Sequence, residues 1–554
     1  MPALSLTKRS FTALALAALL AACAAPAGGP ATTAGAPARP KLLVFLVVDG
    51  LPMRQVTAYR EQLQPDGFAR FLDRGTWFAD AHYGYAFTVT AAGHATMLSG
   101  AYPHASGIIG NEWRDLASGE TVYCTGDTRY TYIGHKTGKL DGTSPANLKV
   151  ETVGDVLRGV SPQSKVIGIS GKDRGAILPA GHRGTAYMYM SATGSFASST
   201  YYMPAHPAWV DAFNAAKPVD RYFKADWQPA LAEAAYAQSL GDNQPWFGTR
   251  PGKLPMTMGA ALEQPSPAFY ASLLRSPFVD EMSLAFARAA IAGERLGQDD
   301  APDILSVSLS GHDYVNHYWS AESRLSHDHF LHLDRLLQAF FRDLDASVGK
   351  NNYIAVLTAD HGFMPAPEVS RMRGLDAGRL SGSELLGRIN AGLEQRFGVA
   401  KLGRFFSASA LVLDRELLAQ KNLDPAAVAE AARAVLAAEP AIAAAYTRAE
   451  LASGSRAGAP FFDAMRKSWN RERSGDVQYA PKPNWMFTSS SSNTTHGSPH
   501  PYDTHVPILM YGPAWLKPAR VDRRVETADL APTLARLLGV AAPAAAEGKL
   551  LPLP

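Results

Sequence analysis

Lys41-Leu42-Leu43-Val44-Phe45-Leu46-Val47-Val48-Asp49-Gly50 is an unbroken apolar run ending in a carboxylate. A strand with one wet face alternates apolar and polar residues; one that is apolar throughout is buried on both faces, as in a parallel sheet. The run therefore predicts a central strand, with Asp49 at its C-terminal end, where open α/β sheets place their sites. Similar runs occupy residues 165–170, 303–309, 353–359 and 506–512. Helical stretches such as 281–293, 327–348 and 527–538, the last closed by Gly539, fall between or after them. Strands alternating with helices predict an α/β fold, a mainly parallel central sheet with helices on both faces. No internal repeat is visible.

The strand ends carry the chemistry. Residues 171–175 read Gly-Lys172-Asp173-Arg174-Gly, two cations that would neutralise phosphoryl oxygens. After the 303–309 run, a helix starting near Asp313 would put Asp313 and His317 on one face, a spacing for two ligands of one metal ion. Asp360-His361-Gly362 follows the 353–359 run, and His496 lies on the loop entering the last strand. Phe87-Thr88-Val89-Thr90-Ala91-Ala92-Gly93-His94-Ala95-Thr96-Met97-Leu98-Ser99-Gly100 reads as an extended approach, Thr90 at a helix N-cap, and a short helix that Gly100 closes. First-turn amides there favour an anion, and the alkoxide of Thr90. Each feature alone has a plain reading: a cap, a solvated turn, a chance Asp-x-x-x-His. Together they place oxygen and imidazole ligands on five strand ends or adjoining loops, a donor set for two divalent ions of the zinc type.

Lys8 and Arg9, the apolar residues 11–20 and Ala21-Ala22-Cys23 predict a signal peptide, because the run is too short to span a bilayer. Leu20-Ala21-Ala22-Cys23 resembles a bacterial lipobox. That resemblance implies cleavage before Cys23, a lipid on its sulfur and, with Ala24 next, sorting to the outer membrane. Residues 1–22 are thus read as a lipoprotein-type signal peptide, 23–40 as a flexible Ala/Pro/Gly tether, and 41–554 as the catalytic domain of an exported, periplasmic protein. The one other cysteine, Cys124, leaves no partner for an internal disulfide once Cys23 is lipidated or removed. With 53 Lys and Arg against 50 Asp and Glu, and 47% apolar residues, a large core is expected and binding of nucleic acid by bulk charge is not. Two segments break the alternation, about 185–276, rich in Tyr, Ser, Trp and Pro, and about 366–488, with an Ala-rich helical stretch over 425–445. Both are expected to cap the site mouth.

The set of motifs resembles the alkaline phosphatase superfamily, specifically bacterial secreted alkaline phosphatases with a threonine nucleophile, relatives of the nucleotide pyrophosphatase/phosphodiesterases. The resemblance spans nearly all of residues 41–540, including Thr527-Ala528-Asp529-Leu530-Ala531-Pro532-Thr533-Leu534. It implies that Thr90 is the nucleophile. It also implies that Asp49, Asp360 and His361 join Thr90 on one zinc, and that Asp313, His317 and His496 hold a second. Asn111, in Gly110-Asn111-Glu112-Trp113, together with Lys172 and Arg174, matches the residues that contact non-bridging phosphoryl oxygens. One departure is Ala92, where relatives often have Pro. The expected activity is zinc-dependent hydrolysis of small phosphate monoesters through phosphothreonine, by a monomer. Lys172 and Arg174 favour the extra charge of a monoester over a diester. Type I phosphodiesterase action is the alternative, and a non-catalytic zinc- or phosphate-binding lipoprotein the alternative of another class. A sulfatase would need a Cys/Ser-x-Pro-x-Arg pattern, which the sequence around Cys124 lacks. His94 is expected to pack or hydrogen-bond within its helix, and His327, His329 and His332 to share a partly solvated helix face. His182, His500 and His505 lie near site motifs without an assigned role.

Overall fold

The computed structural model describes residues 39–489 and 491–554. The expected signal peptide, lipobox and all but the last two residues of the tether lie outside the described residues. Nine strands build the central sheet: β1 (Leu42–Val48), β2 (Thr76–Phe78), β3 (Val166–Ser170), β4 (Thr185–Met190), β5 (Ser195–Ala197), β6 (Asp303–Leu309), β7 (Tyr353–Thr358), β8 (Ile508–Tyr511) and β9 (Ala519–Val521). Their order is β9-β2-β8-β7-β1-β6-β3-β4-β5. β1 lies between β7 and β6, parallel to both, and only β8 and β5 run against it.

Period-two alternation along β1 explains the two layers. Leu42, Val44, Leu46 and Val48 enter a core with Phe286, Phe330, Leu337 and Phe341. These partners come from α3 (Pro277–Glu294) and α5 (Arg324–Ser347). Leu43, Phe45 and Val47 enter a second core with Met97 and Leu98 of α1 (Thr90–Ser99) and Leu530 and Leu534 of α6 (Leu530–Leu538). The remaining helices that position the site are α2 (Asp173–Ala180) and α4 (Gly311–Trp319). No described helix is long and apolar enough to cross a membrane.

Four local expectations change. Thr90 is the first helical residue and Val89 the N-cap, with φ −130° and ψ 158°, because Asn111 Oδ1 supplies the acceptor that a Thr90 cap would have offered to the first-turn amides. Residues 185–197 are not part of an insertion but β4 and β5. Tyr187 and Tyr189 fill one core and Ala186, Met188 and Met190 another, so the Tyr-rich stretch is a two-sided strand. The Ala-rich helix runs over Pro425–Ala438 and not to 445, since Glu439 precedes Pro440 and takes an extended ψ of 129°. Ile442–Thr447 is a strand instead. His327 and His329 are fully buried and only His332 is partly exposed, because Tyr59 and Tyr236 pack on the His327 ring and Trp227 and His312 on the His329 ring.

Neither insertion is a plain cap. Trp227, Phe247 and Leu254 of the first pack with Val315 and Trp319, so this segment backs α4. The second carries its own four-stranded sheet and a core formed by Leu385, Ile389, Val428 and Leu436 with Leu411 and Val477.

Candidate active site

Parallel register brings the site residues together. Val47 pairs with Thr358 and Val48 with Leu309, so Asp49 and Asp360 emerge side by side while α4 starts beside them. The amide of Gly50 donates to Asp360 Oδ1 at 3.0 Å, tying the two strand ends. Asp49, Asp360 and His361 offer ligand atoms within 4.8 Å of one another; so do Asp313, His317 and His496. These are the two triads named from the sequence. Lys172 Nζ lies 2.7 Å from Asp49 Oδ2 and 2.5 Å from Asp313 Oδ2, so one ammonium touches a carboxylate of each triad.

The triads have the chemistry of metal centres. His361 Nδ1 lies 2.9 Å from the carbonyl oxygen of Gly362, His317 Nδ1 2.9 Å from that of Thr494, and His496 Nδ1 2.9 Å from that of Thr88. A carbonyl can only accept, so each Nδ1 carries the proton and each Nε2 presents a lone pair. Those Nε2 atoms face carboxylate oxygens at 3.4 to 3.7 Å: His317 and His496 toward Asp313 Oδ1, His361 toward Asp49 Oδ1 and Asp360 Oδ2. Two ligands at about 2.0–2.1 Å from one tetrahedral ion stand roughly 3.3 Å apart. Asp49 Oδ1, Asp313 Oδ1, Asp360 Oδ2 and His361 Nε2 are buried without a hydrogen-bond partner. Buried polar atoms are rarely left so, and here the orphans converge on the two centres. The residues present fit two divalent ions.

Electrostatics agree. Burial and the neighbouring Asp360 raise Asp49 well above the usual carboxylate range. Burial would raise Asp313 too, but the Lys172 ammonium against it outweighs burial and holds it well below. Against its own burial, His361 and His94 hold Asp360 low. Burial lowers His361 and His496, toward the neutral form that metal ligands take. Lys172 stays charged because Asp313 and Asp49 outweigh its burial.

Thr90, nearly fully buried, opens α1 beside this cluster. Asn111 Oδ1 accepts from the Ala91 amide at 2.8 Å, which holds the carboxamide against the first turn of the helix. Arg174 Nη1 donates to the Tyr123 hydroxyl at 3.1 Å, and Tyr123 donates to Asp173 Oδ1 at 2.5 Å. Arg174 Nε is buried without a partner. A cavity of about 420 Å³ opens beside the site, lined by Phe87, Asn111, His317, His496, Tyr479 and Trp485 among others. A smaller one of about 290 Å³ shares Phe87, Val89 and Asn111. Residues of the second insertion line both, and none from 185–276 lines either.

Sequence reasoning missed the supports. His94 does bond within its helix, to the Thr90 carbonyl at 2.9 Å, but it also reaches Ser308 Oγ at 2.9 Å and faces Asp360 Oδ2 at 3.4 Å. Tyr314 lies under Lys172, whose Nζ stands 4.8 Å from the ring centroid. The spacing of four between Thr90 and His94 was the available signal. Tyr314 gave none. Cys124 is fully buried and burial pushes its thiol up to about 12, so it is no nucleophile.

Residues 43–503 match the family model described as type I phosphodiesterase / nucleotide pyrophosphatase. The chain is 34% identical over 516 residues to alkaline phosphatase PafA of Elizabethkingia meningoseptica, covering 92% of this chain and 94% of that relative. It is 33% identical over 522 residues to alkaline phosphatase PhoV of Synechococcus elongatus, covering 93% and 92%. A crystal structure of wild-type PafA matches with a TM-score of 0.86 at 33% identity, covering 93% of this chain and 98% of that one. Fold and site thus define a phosphoester hydrolase of the alkaline phosphatase superfamily. Within it, the chain belongs to the type I phosphodiesterase / nucleotide pyrophosphatase family, and it is a phosphatase.

Proposed function

We propose that the chain hydrolyses phosphate monoesters through a phosphothreonine on Thr90, with two zinc ions as cofactors. The observation that carries this reading is the pair of ligand triads whose buried, unpartnered atoms converge beside Thr90. Asp49, Asp360, His361 and Thr90 would hold one ion and Asp313, His317 and His496 the other. Bound there, the ions supply Lewis acidity that favours the Thr90 alkoxide and stabilises the departing alkoxide.

Thr90 Oγ1 attacks phosphorus as the ester oxygen leaves; water then takes the phosphoryl group and returns the hydroxyl to Thr90. Asn111 uses its Oδ1 on the Ala91 amide and keeps its N–H groups for a phosphoryl oxygen. Lys172 is held by carboxylates that the cations would neutralise, which frees its ammonium for the substrate. Together with Arg174 it compensates the charged oxygen that distinguishes a monoester from a diester. A solved variant of PafA is altered at a Thr, an Asn, a Lys and an Arg, with the same spacing within each of the Thr–Asn and Lys–Arg pairs as in Thr90–Asn111 and Lys172–Arg174. The family description favours the second reading, diester hydrolysis.

The test compares kcat/KM for p-nitrophenyl phosphate and bis-p-nitrophenyl phosphate on zinc-loaded protein, with Thr90→Ala as control. A large ratio for the monoester, lost in the control, supports the proposal. Preference for the diester moves the enzyme to the phosphodiesterase branch. Turnover of either that survives in Thr90→Ala removes the phosphothreonine. Export, lipid attachment at Cys23 and a monomeric state belong to the same reading, and mass spectrometry of the Cys23 peptide from membrane fractions checks the lipid.

A further inference from the structure

Away from the catalytic cluster, Asp80, His82 and His505 bring a carboxylate oxygen and two imidazole nitrogens within 4.8 Å of one another. Chain geometry accounts for this. Asp80 and His82 are two residues apart around the short strand Ala81–His82, so their side chains leave by the same face. His505 stands opposite His82 in an antiparallel bridge, which sets their Cβ atoms about 4.5–5.5 Å apart. The two rings stack with centroids 4.6 Å apart and planes within 10°.

The proton positions leave donors free. His505 Nε2 lies 2.9 Å from the carbonyl oxygen of Ala79, to which it can only donate, so its Nδ1 keeps a lone pair. His82 Nδ1 lies 3.0 Å from Thr504 Oγ1, and its Nε2 lies 2.8 Å from Asp80 Oδ1. This is the arrangement in which a cation can take the place of the proton between imidazole and carboxylate, while Thr504 holds the ring as an outer partner. His82 is buried, Asp80 is 42% exposed and His505 is half-buried. An ion can therefore enter from solvent beside the exposed Asp80 carboxylate. Arg524 Nη1, 4.0 Å from Asp80 Oδ1 and 62% exposed, is the competing cation.

We propose that Asp80, His82 and His505 form a third metal site that takes one divalent transition ion of the zinc class and leaves a coordination position open. Two imidazoles and one carboxylate suit such an ion better than calcium or magnesium, which take oxygen ligands. The ion would fasten the strand Ala81–His82 to the segment Pro501–Thr504 and His505. Tyr502 and Asp503 there accept hydrogen bonds from Phe363 and Gly362, next to His361.

The test is equilibrium dialysis of the metal-free full chain against Co²⁺, counting bound cobalt by mass spectrometry in wild type, Asp80→Asn and His505→Gln. Each variant is expected to bind one cobalt fewer per chain than wild type while retaining turnover of p-nitrophenyl phosphate. Because the result is a difference, it stands apart from how many ions the catalytic centre holds. Arg524→Ala removes only the competing charge and is expected to tighten the weakest cobalt step by roughly 2–5-fold, a gain that misfolding cannot imitate. Equal cobalt in wild type and both loss variants overturns the proposal, as does an unchanged affinity in Arg524→Ala.

Discussion

A methyl group added at Gly93 would meet the carbonyl oxygen of Asp360 at 2.2 Å, so the helix behind Thr90 can press against the Asp360 strand end only because this residue has no side chain. Gly93→Ala must push Thr90 away from Asp360 without altering either. Misplacement on this scale is expected to lower kcat/KM about 100-fold, while far-ultraviolet circular dichroism stays unchanged; near-wild-type kinetics would contradict the close approach. Lys172 makes a different prediction. Lys172→Ala is expected to lose more kcat/KM on p-nitrophenyl phosphate than on its diester, and equal losses would deny the ammonium a part in monoester selection. Asp503 sets a pH dependence. Its Oδ2 accepts from the Ser498 amide at 2.9 Å and hydroxyl at 2.6 Å, yet Oδ1 is buried without a partner, and burial pushes the carboxyl up to about 7. The folded state keeps this proton up to about pH 7 and the unfolded chain only to about pH 4, so the stability it contributes is lost as pH rises through that window. Asp503→Asn removes the charge. Its Tm relative to wild type is expected to climb between about pH 4 and pH 7 and to level off above; a difference flat with pH would refute the assignment.

At the scale of elements, α4 shows how a helix is aimed. It presents Asp313 and His317 on one face, as the i to i+4 spacing predicts, but what fixes its start was invisible in the sequence. Asp280 Oδ1, from α3, accepts from the Gly311 amide at 3.0 Å, and Asp280 Oδ2 lies 3.2 Å from His329 Nε2 of α5. His329 in turn meets His312, and His312 meets Gln55. Asp280→Ala would leave the buried Gly311 amide without its acceptor, at a cost of about 1–3 kcal/mol. It is expected to loosen ion binding at the Asp313 triad before that at the Asp49 triad, read as biphasic metal release to a chelator; monophasic release at the wild-type rate would count against this role. Strands β1, β3, β6 and β7 were legible because a two-faced apolar run has few other fates. β4 was not, since its two tyrosines merged it with the Tyr-, Ser-, Trp- and Pro-rich stretch that follows, and the helix over Pro425–Ala438 was overextended past the break that Pro440 imposes.

At the scale of the whole molecule, three buried carboxylates, Asp49, Asp313 and Asp360, crowd together, and one buried ammonium, Lys172, pairs with two of them, Asp49 and Asp313. Like charges crowded in a poorly solvated centre favour the state that holds cations. Chelation is therefore expected to lower Tm by several degrees in scanning calorimetry, with recovery on adding zinc; an unshifted transition would mean that the triads stay empty in the folded protein. The sequence by itself determined the sheet's buried strands and the polar residues at their C-terminal ends, because burial pattern and residue chemistry are local properties of the chain; the division of those residues into two ligand sets came from the resemblance to the superfamily. Only the tertiary structure decided that Lys172 spans both triads, that Asn111 takes over the cap beside Thr90, and that the second insertion lines the cavity while the first backs α4. It alone put His505 opposite Asp80 and His82. These pairings join residues tens to hundreds of positions apart, and their distances are set by strand register and helix packing, which no local pattern encodes.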